Sequence, residues 1–117
     1  MKISRVAELL DAQICTGGDN IENEVHSACG SDLMSDVLAY VKNQAVLLTG
    51  LVNPQVIRTA EMMDMKCIVF VRSKVPSEAM LELAKDCSIV VMTTKKRMYE
   101  ACGILYSNGL NNNTTEE

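Results

Sequence analysis

The chain has 117 residues, a formal net charge of −4 and a pI near 5.0. This length is typical of one domain, so we expect a single domain with one hydrophobic core. Nucleic-acid binding usually requires a basic face, but here 11 Lys and Arg residues are outnumbered by 15 acidic ones and form one short cluster, Lys95–Arg97. No apolar segment fits a secretion signal or a membrane span. We therefore expect a cytoplasmic protein that binds neither nucleic acid nor membrane.

The five cysteines are odd in number, and no two of them are spaced as Cys-x-x-Cys. Most of them lie inside apolar runs, so we interpret them as reduced, buried thiols that act as small hydrophobic residues. A metal site needs clustered ligands, and His26, the only histidine, has no Cys or His at ligand spacing. The sequence therefore predicts no metal and no cofactor.

The first third of the chain alternates short polar and apolar segments. It predicts a helix over Ile3–Leu10, a strand over Ala12–Cys15, a turn-rich loop over 16–20, a strand over Glu24–Cys29 and a helix from Leu33 to about Lys42. Gly30-Ser31-Asp32 stands before that last helix. A Ser or Asp side chain in this position can accept hydrogen bonds from the free amides of the first helical turn.

The rest of the chain alternates continuous apolar runs with amphipathic segments. The predicted strands are 45–48, 67–71 and 88–92, and the predicted helices run over 54–63, from Pro76-Ser77 onward and over 96–106. This alternation is typical of βαβ units, so we predict an α/β fold with a small, largely parallel sheet flanked by helices. We expect the domain to cover residues 1–109 and the polar residues 110–117 to form a disordered tail.

Polar or small residues follow three of the predicted strands. Because ligands of open parallel sheets bind beyond the carboxyl ends of the strands, these residues would meet at one edge. Helix N-termini at that edge favour an anion. The predicted site for a phosphate or carboxylate comprises Thr49, Gly50, Asn53, Arg72, Thr93 and Thr94. The alternative interpretation is that these residues only form turns and helix caps.

A second candidate cluster lies at the start of the helix after residue 30. One helical turn separates Asp32 from Ser35 and Asp36, so the three side chains would share a helix face. The two carboxylates could then bind a cation or position a ligand hydroxyl. Alternatively, they are N-terminal charges that complement the helix dipole.

The sequence contains none of the common catalytic motifs. There is no P-loop, no G-x-G-x-x-G, no H-E-x-x-H and no G-x-S-x-G. No nucleophile and base stand out as a pair, so we predict that the chain is not an enzyme and has no catalytic residues.

The layout of the chain resembles a DRTGG domain over roughly residues 1–109. The resemblance rests on Gly30–Val37, Leu47–Gly50, Asn53–Met63, Ile68–Arg72 and Met92–Thr94. DRTGG domains are similar to the N-terminal domain of HPr kinase/phosphorylase, and they also occur beside CBS domains in some inorganic pyrophosphatases. Residues 50–53 here replace the family's Gly-Asp-Arg signature, and Val71-Arg72-Ser73 replaces its Thr-Gly-Gly.

The resemblance implies a stand-alone regulatory module rather than a catalytic one. We therefore expect a homodimer that senses a small anionic metabolite or nucleotide. Separately, the last predicted helix carries Tyr99, Glu100 and Tyr106, which we interpret equally as surface or as dimer contacts. The alternative is an interaction protein that docks a partner enzyme, in anaerobic redox or hydrogen metabolism. A phosphotransferase would have to turn over ATP, which we do not expect because the chain lacks a P-loop.

Overall fold

The computed structural model describes residues 1–40 and 45–111 of the chain. These residues form five α-helices and five strands, which we label in chain order. They are α1 (Ile3–Leu10), β1 (Gln13–Thr16), β2 (Ser27–Gly30), α2 (Met34–Tyr40), β3 (Ala45–Thr49), α3 (Pro54–Met62), β4 (Cys67–Phe70), α4 (Glu78–Asp86), β5 (Val90–Thr93) and α5 (Met98–Ser107). The predicted α/β class is confirmed. The predicted end of the second helix near Lys42 lies outside the described residues.

The five strands form one sheet in the order β1-β5-β4-β3-β2. Strands β2 to β5 are parallel to their neighbours, whereas β1 runs antiparallel to β5. Each of β3, β4 and β5 lies beside the strand that precedes it in the chain, whereas β1 and β2 lie at opposite edges of the sheet. Because β1 is antiparallel, it begins at the edge of the sheet where the other four strands end.

Helices cover both faces of the sheet. One core contains buried residues of α1 and α5, and the other contains buried residues of α2, α3 and α4. Along β3 the side chains alternate between the cores: Val46 and Leu48 belong to the first and Leu47 to the second. Since both faces are buried, the central strands read as continuous apolar runs.

Helices α3 and α4 begin at the predicted capping residues. The Asn53 side chain accepts a hydrogen bond from the Gln55 amide, with Pro54 at the first position of α3. Ser77 accepts one from the Met80 amide at the start of α4. Proline costs nothing at that first position because its missing amide would have no helical partner.

The cysteines are all free, but only Cys67 is fully buried. The other four are half-buried, so the prediction of buried thiols was wrong for them. Burial raises the pKa of every one of these thiols, most strongly that of Cys67, because a thiolate loses its hydration.

Among the described residues, no three His, Cys, Asp or Glu side chains are grouped to hold a metal ion. Within those same residues, no helix has the length and apolar character to cross a bilayer.

The last helix is followed by a residue that packs into the core. Leu110 is 5% exposed and belongs to the core beneath α1 and α5. Its amide donates a hydrogen bond to the Leu105 carbonyl, at 3.0 Å. The packed residues thus reach at least Leu110, and the domain boundary at residue 109 stays a prediction. Most of the predicted tail, residues 112–117, lies outside the described residues.

The burial of Leu110 gives a direct test of where the packed domain ends. Leu110→Ala should lower the free energy of unfolding by about 2 kcal/mol, because it removes buried methyl groups and leaves a cavity. Urea unfolding followed by circular dichroism would measure the loss. Leu33→Ala is the matched control, since Leu33 is 58% exposed and its truncation should change stability by less than about 0.5 kcal/mol. Equal effects of the two substitutions would contradict the packing described here.

Candidate ligand site at the carboxyl edge of the sheet

The loops that follow the parallel strands meet at one edge of the sheet. Thr49 at the end of β3 pairs with Phe70, and Phe70 pairs with Thr93 at the end of β5. Arg72 follows β4 by two residues. The structure therefore places Thr49, Arg72 and Thr93 along the same edge, on three adjacent strands.

The Asp32 carboxylate joins two of these loops. Its Oδ1 atom accepts hydrogen bonds from the Gly50 amide at 2.7 Å and from the Thr49 hydroxyl at 3.0 Å. Thr49 is fully buried, and its hydroxyl oxygen also accepts a bond from the Leu51 amide at 3.1 Å. A charged acceptor strengthens both bonds to Asp32, so this carboxylate fixes the loop after β3.

Arg72 lies above the same loop. Its Nη2 atom is 3.9 Å from Asp32 Oδ2, and about half of each side chain is exposed. Gly50 makes this position possible, because a β-carbon at residue 50 would overlap the guanidinium group. Asp32 therefore bonds to the loop after β3 and lies near the cation of the loop after β4.

The prediction that Asp32, Ser35 and Asp36 share one helix face was wrong. Helix α2 begins at Met34, so Asp32 lies before it and does not share its face. The reason is that the Asp32 carboxylate bonds to the distant residues 49 and 50, while the Ser31 hydroxyl accepts a bond from the Leu33 amide. Ser35 and Asp36 are exposed in the first turn of α2. Asp36 thus occupies the position where a carboxylate complements the helix dipole.

Three other predicted site residues already use their polar groups within the protein. The Thr93 hydroxyl donates to the Lys74 carbonyl at 2.6 Å, and the Thr94 hydroxyl donates to the Leu10 carbonyl at 2.7 Å. The Asn53 side chain caps α3. These contacts fit the alternative interpretation, in which such residues form turns and caps.

The loop after β4 has an unusual backbone. Arg72 and Ser73 have φ angles of 59° and 60°, in the left-handed region that favours glycine. Two hydrogen bonds hold them there: the Arg72 amide donates to the Lys96 carbonyl at 2.8 Å, and the Ser73 amide donates to the Thr94 carbonyl at 2.9 Å. The loops after β4 and β5 therefore form one bonded unit.

A crevice lies between these two loops. Helix α4, which follows β4, packs on one face of the sheet, whereas α5, which follows β5, packs on the other. Adjacent parallel strands whose following helices part in this way open a crevice beyond their carboxyl ends, where ligands of α/β proteins bind. Here the opening has a volume of about 450 Å³ and is lined by Arg72, Ser73, Lys95 and Arg97.

Sequence reasoning missed three of these four lining residues. As a sequence pattern, the run Lys95–Arg97 bears only on nucleic-acid binding, for which it is too short. Its position directly after β5 was the signal that could have placed it at the ligand edge. Within residues 1–40 and 45–111, neither Lys95 nor Arg97 forms an ion pair, so both cations remain available.

The role of Asp32 can be separated from a general charge effect. Asp32→Ala should lower the free energy of unfolding by about 1–3 kcal/mol, because the buried Thr49 hydroxyl and the Gly50 amide lose their charged acceptor. Asp36→Ala removes the same charge from an exposed first-turn position and should cost about 0.3–1 kcal/mol. Chemical denaturation of both variants would measure the difference. A larger loss for Asp36→Ala would contradict the role given to Asp32.

Comparisons with known proteins agree with this architecture. The chain is similar in structure to the CBS and DRTGG domains of the regulatory region of Clostridium perfringens pyrophosphatase, solved in complex with its activator, diadenosine tetraphosphate. The TM-score is 0.71 at 13% sequence identity, over 89% of this chain and 45% of that one, so the likeness concerns the fold. A search of curated proteins found no match. The model of the DRTGG domain family matches residues 5–107, and the chain thus belongs to that family.

Proposed function

We propose that this chain is a non-catalytic regulatory module that binds a small anionic ligand at the carboxyl edge of its sheet. The observation that carries the proposal is the crevice between β4 and β5, which is lined by three cationic side chains, those of Arg72, Lys95 and Arg97. In a chain with a net charge of −4, such a local concentration of positive charge favours anions at this place.

Other features of the crevice suit an anion. Helix α5 begins directly after Arg97, and the positive end of its dipole lies on the same edge. The hydrogen bonds between the two loops hold Arg72 and Lys95 near each other before any ligand arrives. Such preorganisation lowers the entropic cost of binding.

The family relationship supports a regulatory role. The pyrophosphatase region that shares this fold is described as regulatory and was solved with a nucleotide activator. We carry over the class of ligand, an anionic metabolite or nucleotide, as a proposal for this chain. The resemblance to the N-terminal domain of HPr kinase/phosphorylase supports regulation too, and the chain has none of the sequence motifs of a phosphotransferase.

A thermal-shift screen at low salt would test ligand binding. The panel would contain inorganic phosphate, AMP, ATP, diadenosine tetraphosphate and phosphorylated sugars. A ligand at 100 times its Kd should stabilise the folded chain by about 2.7 kcal/mol, which raises Tm by roughly 11 °C. Arg72→Gln should abolish the shift because it removes a cation of the crevice.

Lys85→Gln is the matched control for that experiment. It removes the same charge in the last turn of α4, at the opposite edge of the sheet, and should leave the shift intact. The proposal fails if no compound on the panel raises Tm, or if both variants reduce the shift equally.

A second candidate function is protein association, and the outer face of α5 favours it. Tyr99 is 93% exposed and Tyr106 is 60% exposed, and their spacing of seven residues puts both on one side of the helix. An open cavity of about 570 Å³ lies between and beside them. Exposed aromatic side chains are typical of protein interfaces.

We propose that this surface joins two copies of the chain. Sedimentation velocity at micromolar concentration should show a dimer, and a Tyr99→Ser/Tyr106→Ser double variant should sediment as a monomer. Met62→Ser is the control, because Met62 is 72% exposed on α3, on the opposite face of the sheet. A monomeric wild-type chain would contradict self-association. A stoichiometric partner recovered from the native host would then favour docking to a partner enzyme, in anaerobic redox or hydrogen metabolism.

A further inference from the structure

A second opening adjoins the cationic crevice. It has a volume of about 230 Å³ and is lined by Asp11, Gln13, Ser73, Val75, Thr93, Thr94 and Lys95. Ser73 and Lys95 line both openings, so the two are neighbours with a shared wall. A single ligand can therefore occupy both.

The antiparallel strand explains why these residues reach the carboxyl edge. Gln13, the first residue of β1, pairs with Thr93, the last residue of β5. Asp11 closes α1 in the left-handed conformation, with φ of 50°, and so lies just before this pair. The fold thus adds an acidic and an amide side chain to an edge that is otherwise cationic.

The second opening differs from the crevice in chemistry. Asp11 and Gln13 are exposed, and among the described residues neither side chain has a hydrogen-bond partner. Val75, 65% exposed, offers an apolar surface beside them. The Asp11 carboxylate repels a second anionic group but accepts hydrogen bonds from hydroxyl groups. This opening therefore suits a neutral group that has both hydroxyls and an apolar face.

We infer that the two openings together bind a nucleoside phosphate. The phosphate lies among Arg72, Lys95 and Arg97, where guanidinium groups match phosphate oxygens. The ribose hydroxyls donate to Asp11, in the way acidic residues at the strand ends of α/β proteins hold ribose. The base lies on Val75 and bonds to the Gln13 amide. This inference rests on the proposed function; it narrows the ligand class to nucleoside phosphates and adds the orientation of the ligand.

The openings predict different responses to three probes: inorganic phosphate, AMP and adenosine. In amide NMR spectra of the full chain, phosphate should shift Arg72, Ser73 and the residues 95–97. AMP should shift those amides and also Asp11, Gln13 and Val75. AMP should bind at least about tenfold more tightly than inorganic phosphate or adenosine. The reason is that its phosphate and nucleoside groups are joined, so the entropic cost of association is incurred only once.

Asp11→Asn is the informative variant. Asparagine tolerates the left-handed conformation, so the fold is retained, but it loses the charged acceptor. We expect AMP affinity to fall by about tenfold while phosphate affinity is unchanged or slightly higher. Asp86→Asn is the matched control, since Asp86 ends α4 at the opposite edge and should affect neither probe.

The possible failures are distinct. If AMP shifts only the residues that phosphate shifts, and Asp11→Asn binds AMP as wild type does, the nucleoside assignment is wrong and anion binding stands. If inorganic phosphate or a phosphorylated sugar of the thermal-shift panel binds and none of its nucleotides does, the ligand class is wrong. If neither phosphate nor AMP shifts any amide signal at millimolar concentration, and no compound of the thermal-shift panel raises Tm, the proposed function is wrong as well.

Discussion

The parallel alignment of four strands is the constraint on which the rest of this molecule depends. Because β2, β3, β4 and β5 run the same way and pair in close register, every loop that follows them must emerge at one edge. Residues far apart in the chain, such as Asp32 and Gly50, come within 2.7 Å there. The Asp32 carboxylate then bonds to the loop after β3 and lies beside Arg72 of the loop after β4. One carboxylate therefore contacts both of these loops.

The two halves of the edge differ in how their polar groups are used. Around Asp32 and Thr49 the donors and acceptors are matched within the protein, which makes this half rigid. Around Lys95 and Arg97 the cations have no anionic partner among the described residues. A rigid frame beside uncompensated charge is the arrangement that ligand sites need, since the frame limits the freedom that binding would otherwise have to remove.

Much of the fold could be predicted from local patterns, whereas the site could be predicted only incompletely. Asn53-Pro54 and Ser77 mark helix starts through contacts within three residues, so sequence alone reveals them. The partner of Asp32 is 18 residues away, and no local pattern shows it; helical spacing therefore placed Asp32 wrongly on α2. The antiparallel direction of β1 depends on its long-range pairing with β5, which the sequence does not encode in its spacing.

The left-handed backbone at Arg72 and Ser73 has a cost in thermal stability. Each L-residue in that conformation gives up roughly 1–2 kcal/mol, which glycine would not. Arg72 and Ser73 both follow this path, and residue 72 places a guanidinium group beside the crevice. Glycine at both positions would relieve this strain but would also remove the guanidinium group from the crevice between β4 and β5, so backbone stability and the positive charge of the crevice oppose each other at residue 72.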